Sequence, residues 1–303
     1  MRLVEIARAY VSHNIGLSAR YQKDILSVAR RCSEFCGCVN GSMPSSQQIV
    51  AWFAACLDRG LSPNTLLRYR RNLSAIITFG VESNLCEAIR LPKIKGRSSV
   101  PKAWTLEEFE KVLAESTKTP GYVGNVPAAD WWPALLLTLY WTGARISSVL
   151  MATPEDIDLD RHILTLRKTK NGKVGIYRLH PQATDAIRKI VDPKSARLFV
   201  WPYQEPWLFK CLRQIVTRSG VPCPKGNASL TYRIKRTSLT YCWAIDPAIA
   251  QRQADHSSAQ TTLRHYVDPR LVALHAQCAA DVLPVPKLET GPRYRQGFLF
   301  PLD

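Results

Sequence analysis

Two short segments of this chain carry side chains that could do chemistry on a phosphate ester. In residues 142–147 (Thr-Gly-Ala-Arg-Ile-Ser), Arg145 follows a pattern that ends a helix, and its forked guanidinium could hold two phosphate oxygens. Residues 255–266 bring His256 and Tyr266 into one stretch. Breaking a phosphodiester needs a nucleophile, cations at the non-bridging oxygens and an acid for the leaving oxygen. Tyrosine, arginine and histidine are residue types that can supply these functions.

Mechanisms of phosphodiester cleavage that depend on a metal ion or a nucleotide have less support in the sequence than one that uses these side chains. Metal nucleases use clustered carboxylates, but the acidic residues between Glu155 and Asp160 are typical of a polar loop before a hairpin. No glycine-rich loop that could hold a nucleotide is present. Cys32, Cys36 and Cys38 lack a second Cys/His cluster, and nine scattered cysteines indicate reduced thiols. We therefore expect no cofactor and no metal.

The charge of the chain predicts a polyanionic partner. Lysine and arginine number 41 against 24 acidic residues, a formal net charge of +17, which favours nucleic acid over an anionic membrane surface. Apolar residues make up 46%, enough for a globular protein. The longest apolar stretch, around Trp131 to Trp141, is too short to cross a bilayer. Because residues 1–10 carry charged side chains, we expect no signal peptide and a cytoplasmic location.

Residues 1–91 are predicted to form an all-helical domain. Apolar spacing and capping residues indicate helices over 3–11 and 18–35, a third after Pro44 with Ser45 or Ser46 as cap, and a fourth from Ser62-Pro63. Residues 92–103 have two prolines, a glycine and four basic residues without apolar periodicity, as in an exposed interdomain linker. The residues of the fourth helix and linker expected to contact DNA phosphates are Arg68, Arg70, Arg71, Lys93, Lys95, Arg97 and Lys102.

Residues 104–285 are predicted to form a second domain, and residues 286–303 a C-terminal tail. Its pattern is mostly helical, with one small sheet. The fold class is therefore mainly α, with an N-terminal helical bundle and a C-terminal α+β domain. The predicted elements are a helix capped by Thr105, a helix over Ala134–Tyr140 that ends at Thr142-Gly143, strands over 162–167 and 174–179 joined at Asn171-Gly172, and helices after Pro181 and over 231–280.

In combination these motifs resemble the tyrosine recombinase (phage integrase) family. Residues 142–147 match its first arginine box, Thr169-Lys170-Asn-Gly-Lys173 lies where the family carries a catalytic lysine, and His256 with Tyr266 matches its terminal box. The resemblance covers nearly the whole chain. It implies a SAM-like core-binding domain, a basic linker and a catalytic domain. It also implies a site-specific DNA recombinase or integrase of a mobile element, which binds double-stranded DNA and self-associates into a tetramer on paired sites.

The resemblance also implies how the DNA strand is broken. Tyr266 would attack the scissile phosphate and form a covalent 3′-phosphotyrosyl link, so that neither metal nor ATP is needed. Arg145 would hold the non-bridging oxygens, and His256 would hydrogen-bond there or assist proton movement. Lys170 would protonate the leaving 5′ oxygen.

The second arginine box of the family, His-x-x-Arg, has no unique match. In one register Tyr232 replaces its histidine and Lys235 its arginine. A shift of one residue places Arg236 there, and counting back from His256 also allows Arg233. Neighbours on a helix point about 100° apart, so Lys235 and Arg236 cannot equally face the phosphate. The register favours Lys235 and leaves the other two open.

Other positions depart from the family pattern or stay open. Asp255 replaces a usual glycine and Ser148 a usual glutamate, which bears on efficiency more than on fold. Lys168 and Lys173 are alternatives to Lys170, because the strand register is not fixed.

Three other functions are compatible with the sequence: a DNA-binding member of the same fold without catalysis, a type IB-like topoisomerase and a basic RNA-binding scaffold. The first is motivated by the altered second box.

The apolar residues after Tyr266 predict a short helix that packs on its own domain or docks on a neighbouring subunit.

Overall fold

A computed structural model describes residues 2–38, 42–96, 100–167, 174–223 and 229–275. The chain divides into two compact units, Met1–Ser99 and Val100–Asp303. This division falls inside residues 92–103, the predicted linker. Each unit has its own apolar core.

The described part of the first unit contains four helices whose starts follow local capping signals. Ser18, Ser45 and Ser62 each accept a hydrogen bond from the backbone N–H three residues further on, which satisfies a donor that every helix start leaves open. The predicted starts of these helices are confirmed. The helices are α1 (Leu3–His13), α2 (Ala19–Phe35), α3 (Ser46–Asp58) and α4 (Pro63–Glu82).

The segment 92–103 is not exposed throughout. The prediction of an exposed linker is wrong for Ile94, Pro101 and Ala103, whereas Val100 is 60% exposed. Ile94 packs on the core of the first unit, and the Pro92 carbonyl accepts a hydrogen bond from Arg70 (2.7 Å). At the other end, Pro101 and Ala103 are buried. Apolar side chains in a basic segment still gain free energy by leaving water. The exposed lysines of this segment are Lys93, Lys95 and Lys102.

The described part of the second unit is mainly helical, as predicted. Its most buried helix begins at Ala128, six residues before the predicted start, and includes Pro133. The proline removes one helical hydrogen bond near the helix start, where Trp131 and Trp132 are almost fully buried. The helices are α5 (Leu106–Ser116), α6 (Ala128–Thr142), α7 (Ile146–Leu150), α8 (Pro181–Arg188), α9 (Glu205–Arg218), α10 (Ser229–Ile245), α11 (Pro247–Ala254), α12 (Ala259–Tyr266) and α13 (Pro269–His275).

Two small antiparallel sheets complete the described part of the second unit. The predicted strands are confirmed, with Leu164 opposite Tyr177 and Leu166 opposite Gly175; the turn between them, residues 168–173, lies outside the described residues. Three other strands were not predicted, because two residues are too short for an alternating pattern. The strands are β1 (Tyr122–Val123), β2 (Val126–Pro127), β3 (Ile157–Asp158), β4 (Ile163–Leu166) and β5 (Gly175–Arg178), in sheets β1-β2 and β3-β4-β5.

A helix that crosses a bilayer needs about 20 consecutive, predominantly apolar residues. No helix in the described ranges is both long enough and apolar enough to do so. The apolar side chains of α6 pack instead into the core of the second unit.

Candidate active site

Arg145 lies at a sharp break between α6 and α7. Gly143 ends α6 with a left-handed backbone (φ 56°), and the Ala144 N–H donates to the hydroxyl of Thr142 (3.1 Å). A Cβ on Gly143 would lie 3.2–3.3 Å from side chains of α10 and α11. The left-handed backbone therefore selects glycine, and the tight space also favours it. Arg145 begins α7 directly after this turn.

Of the three candidates for the second arginine box, Lys235 is the one buried beside Tyr266. Its side chain is 3% exposed, and its Nζ lies 5.2 Å from the centroid of the Tyr266 ring. Burial, followed by repulsion from Arg145, lowers the pKa of Lys235 to about 7, and Asp255 acts in the opposite direction. In the free protein this ammonium group therefore titrates near neutral pH.

The other two candidates contact different parts of the second unit. Arg236 is partly exposed and donates from Nε to the carbonyl of His265 (3.3 Å), and its charge acts to lower the pKa of Tyr266. Arg233 donates to the carbonyl of Ala103 (3.4 Å), near the start of the second unit. Lys235 thus occupies the interior of the site and Arg236 its rim, as the rotation between helix neighbours requires.

His256 follows α11 and places its ring next to Tyr266. The ring centroids are 5.1 Å apart, and Nδ1 lies 2.9 Å from the hydroxyl of Thr262, which orients the imidazole. Burial, then the charges of Lys235 and Arg145, lower the pKa of His256 to about 4. The imidazole is therefore neutral at neutral pH and can both donate and accept hydrogen bonds.

Tyr266 is the last residue of α12 and is partly buried. The Arg145 side chain lies close enough to its hydroxyl to act on its pKa. Burial raises the pKa of Tyr266, while the charges of Arg145 and Arg236 act to lower it. The free protein therefore holds a neutral phenol among positive groups that can stabilise negative charge on its oxygen.

Asp255, at the position of the usual family glycine, has a left-handed backbone (φ 53°) at the end of α11. We expect Asp255→Gly to be more stable than Asp255→Ala by about 1 kcal/mol, because both variants lose the carboxylate and only glycine is unstrained there. Urea unfolding of the two variants measures this difference.

The control for this pair is Asp185, which is exposed within α8. There the order should reverse, with alanine more stable than glycine by about 1 kcal/mol, because alanine favours a helix. Equal stability of the two Asp255 variants would show that the left-handed backbone is not what selects glycine at this position.

The remaining predicted site residues are only partly described. Lys170, with its alternatives Lys168 and Lys173, lies outside the described residues, as does Arg97. The acidic segment 155–160 has the structural role that its pattern predicts, since Asp156 accepts hydrogen bonds from the Thr153 backbone (2.9 Å) and from Arg167. Over the described ranges, no three His, Cys, Asp or Glu side chains are grouped so that they could hold a metal ion.

Sequence reasoning missed two residues that hold this site together. Thr262 orients His256, and it belongs to the Thr-Thr pair between the histidine and the tyrosine, so a signal for it was present. Thr240 donates to the backbone carbonyl of Tyr266 (3.3 Å). No motif marks Thr240, because its partner is 26 residues away along the chain.

Comparisons with known proteins agree with this fold. A curated relative, tyrosine recombinase XerD of Bifidobacterium longum, is 30% identical over 251 residues, which cover 80% of this chain and 73% of the relative. The integrase of transposon Tn1549, solved with circular intermediate DNA, has a TM-score of 0.67 at 16% identity, covering 90% of this chain and 99% of that one. A lambda integrase dimer bound to a core site has a TM-score of 0.67 at 14% identity, covering 94% and 79%. No protein-family model matches the chain.

These findings confirm the fold class and the family resemblance. The solved structures share the mainly helical fold with its small sheets, and the curated relative is similar over most of both chains. The chain belongs to the tyrosine recombinase family and is a site-specific recombinase.

Proposed function

We propose that Tyr266 is the nucleophile of this recombinase and attacks the scissile phosphate of double-stranded DNA. The observation that carries the proposal is the packing of Lys235 and His256 against the Tyr266 ring, at 5.2 Å and 5.1 Å from its centroid. The Arg145 charge acts to lower the pKa of the same phenol. Side chains from three other stretches of the chain thus lie around one tyrosine, an arrangement suited to cleavage by a subunit's own tyrosine.

The proposed step is a transesterification. The Tyr266 oxygen forms a bond to phosphorus, the bond from phosphorus to the 5′ oxygen breaks, and a 3′-phosphotyrosyl ester remains. The phenol loses one proton and the 5′ oxygen gains one, so bonds and protons balance without ATP. Arg145 and Lys235 stabilise the charge that develops on the non-bridging oxygens, so the step needs no metal ion. Neutral His256 hydrogen-bonds to the same oxygens. Lys170 is the proposed donor to the 5′ oxygen.

The first unit is proposed to bind the DNA backbone through the basic residues of α4 and of the segment after it. Arg71 is exposed, whereas Arg68 pairs with Asp24 (3.6 Å) and Arg70 donates to Pro92. Of the three arginines of α4, Arg71 is therefore the one most readily available to a phosphate. A net charge of +17 supports a strong electrostatic contribution.

We expect Arg71→Ala to weaken binding to DNA of any sequence and to reduce the slope of log affinity against log salt by about 1. Arg68→Ala should change the slope less, because Arg68 already has an acidic partner. Fluorescence anisotropy across a salt series measures both variants. If the slope of log affinity against log salt in Arg71→Ala equals that of the wild-type protein, α4 is not part of the DNA-binding surface.

We further propose that the active assembly is a tetramer on two paired DNA sites in the cytoplasm. Recombination of two duplexes cleaves four strands, and each subunit supplies one Tyr266. Four nucleophiles therefore require four subunits, and closed cyclic symmetry places them equivalently.

The test is covalent trapping of the wild-type protein. Nicked duplexes whose sequences together cover the DNA beside the coding region are incubated with the protein in the presence of EDTA, which removes divalent metal ions. The nick lets the cleaved end diffuse away, so that the adduct accumulates. We expect a protein–DNA adduct whose nucleotide maps to the peptide containing Tyr266. Sequence-specific binding without an adduct would instead identify a non-catalytic DNA-binding protein, and relaxation of any plasmid by a monomer would identify a topoisomerase.

A further inference from the structure

The backbone that carries Tyr266 is held to α10 by side chains outside the reacting groups. A helix end leaves its last carbonyls without helical partners. Here Arg236 donates to the carbonyl of His265 (3.3 Å) and the Thr240 hydroxyl donates to the carbonyl of Tyr266 (3.3 Å). The same Thr240 hydroxyl accepts a hydrogen bond from the Asp268 N–H (3.0 Å). One buried threonine thus fixes the chain on both sides of Val267.

Asp268 connects this backbone to the start of the second unit. Its carboxylate is fully buried and accepts a hydrogen bond from the backbone N–H of Ala103 (3.0 Å), 165 residues away in the chain. It also accepts hydrogen bonds from the backbone and guanidinium of Arg270 (2.7–3.1 Å). Burial acts to raise the pKa of Asp268, but these donors hold it below its usual value, so the carboxylate stays ionised at neutral pH.

Residues near Ala103 are bound to α10 as well. The Trp104 N–H donates to the hydroxyl of Thr237 (2.9 Å), and the Leu106 N–H donates to the hydroxyl of Tyr241 (2.8 Å). Helix α10 therefore carries Lys235 on one face and anchors both the start of the second unit and the tyrosine-bearing backbone on others. A shift of any one of these parts would displace the rest.

We propose that Thr240 and Asp268 are positioning residues for Tyr266 and that together they hold the nucleophile in line with the phosphate-binding cations. We name this pair the Thr240–Asp268 clamp. The proposal rests on the proposed role of Tyr266 as the nucleophile. Both residues are buried, so we expect the clamp to act on the rate of attack and not on DNA affinity. A displacement of about 1 Å at a reacting group can slow a reaction about 100-fold.

The test compares Asp268→Ser with a matched control elsewhere in the same unit. Serine can still cap α13, but it is too short to reach Ala103 and carries no charge. Asp246 is the control, because it also precedes a proline and caps a short helix, α11, by accepting a hydrogen bond from Ala248 (2.7 Å). We expect Asp268→Ser to form the nicked-DNA adduct about 10- to 100-fold more slowly, with a Kd close to wild type. Its Tm should fall by a few degrees, because the Ala103 N–H loses its buried acceptor. Asp246→Ser should form it at the wild-type rate.

Thr240 provides the second arm of the test. Thr240→Val keeps the shape and removes the hydroxyl, so it should slow adduct formation, and Thr240→Ser should restore it. Hydrogen exchange of the free proteins is a readout without catalysis: residues 265–268 should exchange faster in Asp268→Ser than in wild type or Asp246→Ser. Wild-type adduct rates in Asp268→Ser, or unchanged exchange there, would overturn the clamp. Absence of an adduct from wild-type protein would overturn the nucleophile itself, and the exchange data would still decide the clamp.

Discussion

Tyr266→Phe is expected to bind DNA with the affinity of the wild-type protein and to form no covalent adduct. The substitution removes one oxygen and keeps the ring, so the packing against Lys235 and His256 remains. The lost group is the hydroxyl whose pKa the Arg145 charge acts to lower. Because that oxygen is the proposed nucleophile, the loss is one of chemistry and not of binding. Gel analysis of the denatured adduct and anisotropy measure the two properties separately.

Tyr232 is the matched control for this experiment. It is 44% exposed and lies close enough that its charge acts on the pKa of Tyr266. Tyr232→Phe should therefore keep the adduct. An adduct in Tyr266→Phe that disappears in the double variant would identify Tyr232 as the nucleophile and overturn the proposal. Mixing Tyr266→Phe with Arg145→Ala should not restore cleavage, because the structure brings both side chains together within one chain.

Much of the fold is predictable because its signals are local. Ser18 and Ser62 mark helix starts to the residue, and the third helix start was predicted to within one residue, at Ser45 or Ser46. These signals are local because a cap satisfies donors within its own first turn. The strands β4 and β5 are long enough to show alternation. The hairpin β1-β2 is not, and the early start of α6 depends on the burial of Trp131 and Trp132 around a proline, which a pattern of single residues does not show.

The residues of the candidate site also differ in whether a local sequence signal reveals them. Arg145, His256 and Tyr266 stand in short motifs that the sequence displays directly. The choice between Lys235 and Arg236 depends on the rotation of α10 about its axis, which tertiary packing decides. The part played by Thr240 depends on contacts between distant parts of the chain. The residues proposed to react were therefore easier to recognise in the sequence than the residues that orient them.

Lys235→Met is expected to slow adduct formation about 100- to 1,000-fold, the usual effect of removing one group that stabilises developing charge. Methionine has nearly the length of lysine and suits the buried position, so the fold should persist. Lys189→Met is the control, since Lys189 is exposed and pairs with Asp130 (3.9 Å), and it should not affect the rate at saturating protein. If Lys235→Met cleaves at the wild-type rate, Arg236 becomes the second cation of the site.

The pH dependence of Lys235 gives the substitution a second, independent readout. With a pKa of about 7 in the free protein, Lys235 is mostly neutral at pH 8. A bound phosphate would raise that pKa by attraction, so DNA binding at pH 8 should take up close to one proton. Calorimetry in buffers of different ionisation enthalpy measures this uptake, which should disappear in Lys235→Met and also in Lys235→Arg, because arginine stays charged.

The same pKa fixes how Lys235 affects stability. An unfolded lysine stays protonated up to about pH 10.4, whereas the folded one loses its proton through pH 7. Between these values the unfolded state binds more protons, so this group favours folding more as pH rises. Lys235→Met should therefore stabilise the free protein most at or below pH 7 and progressively less above it. A stability difference that is flat from pH 6 to 9 would mean that the buried lysine titrates normally, and the uptake of a proton on DNA binding would then have to come from another group.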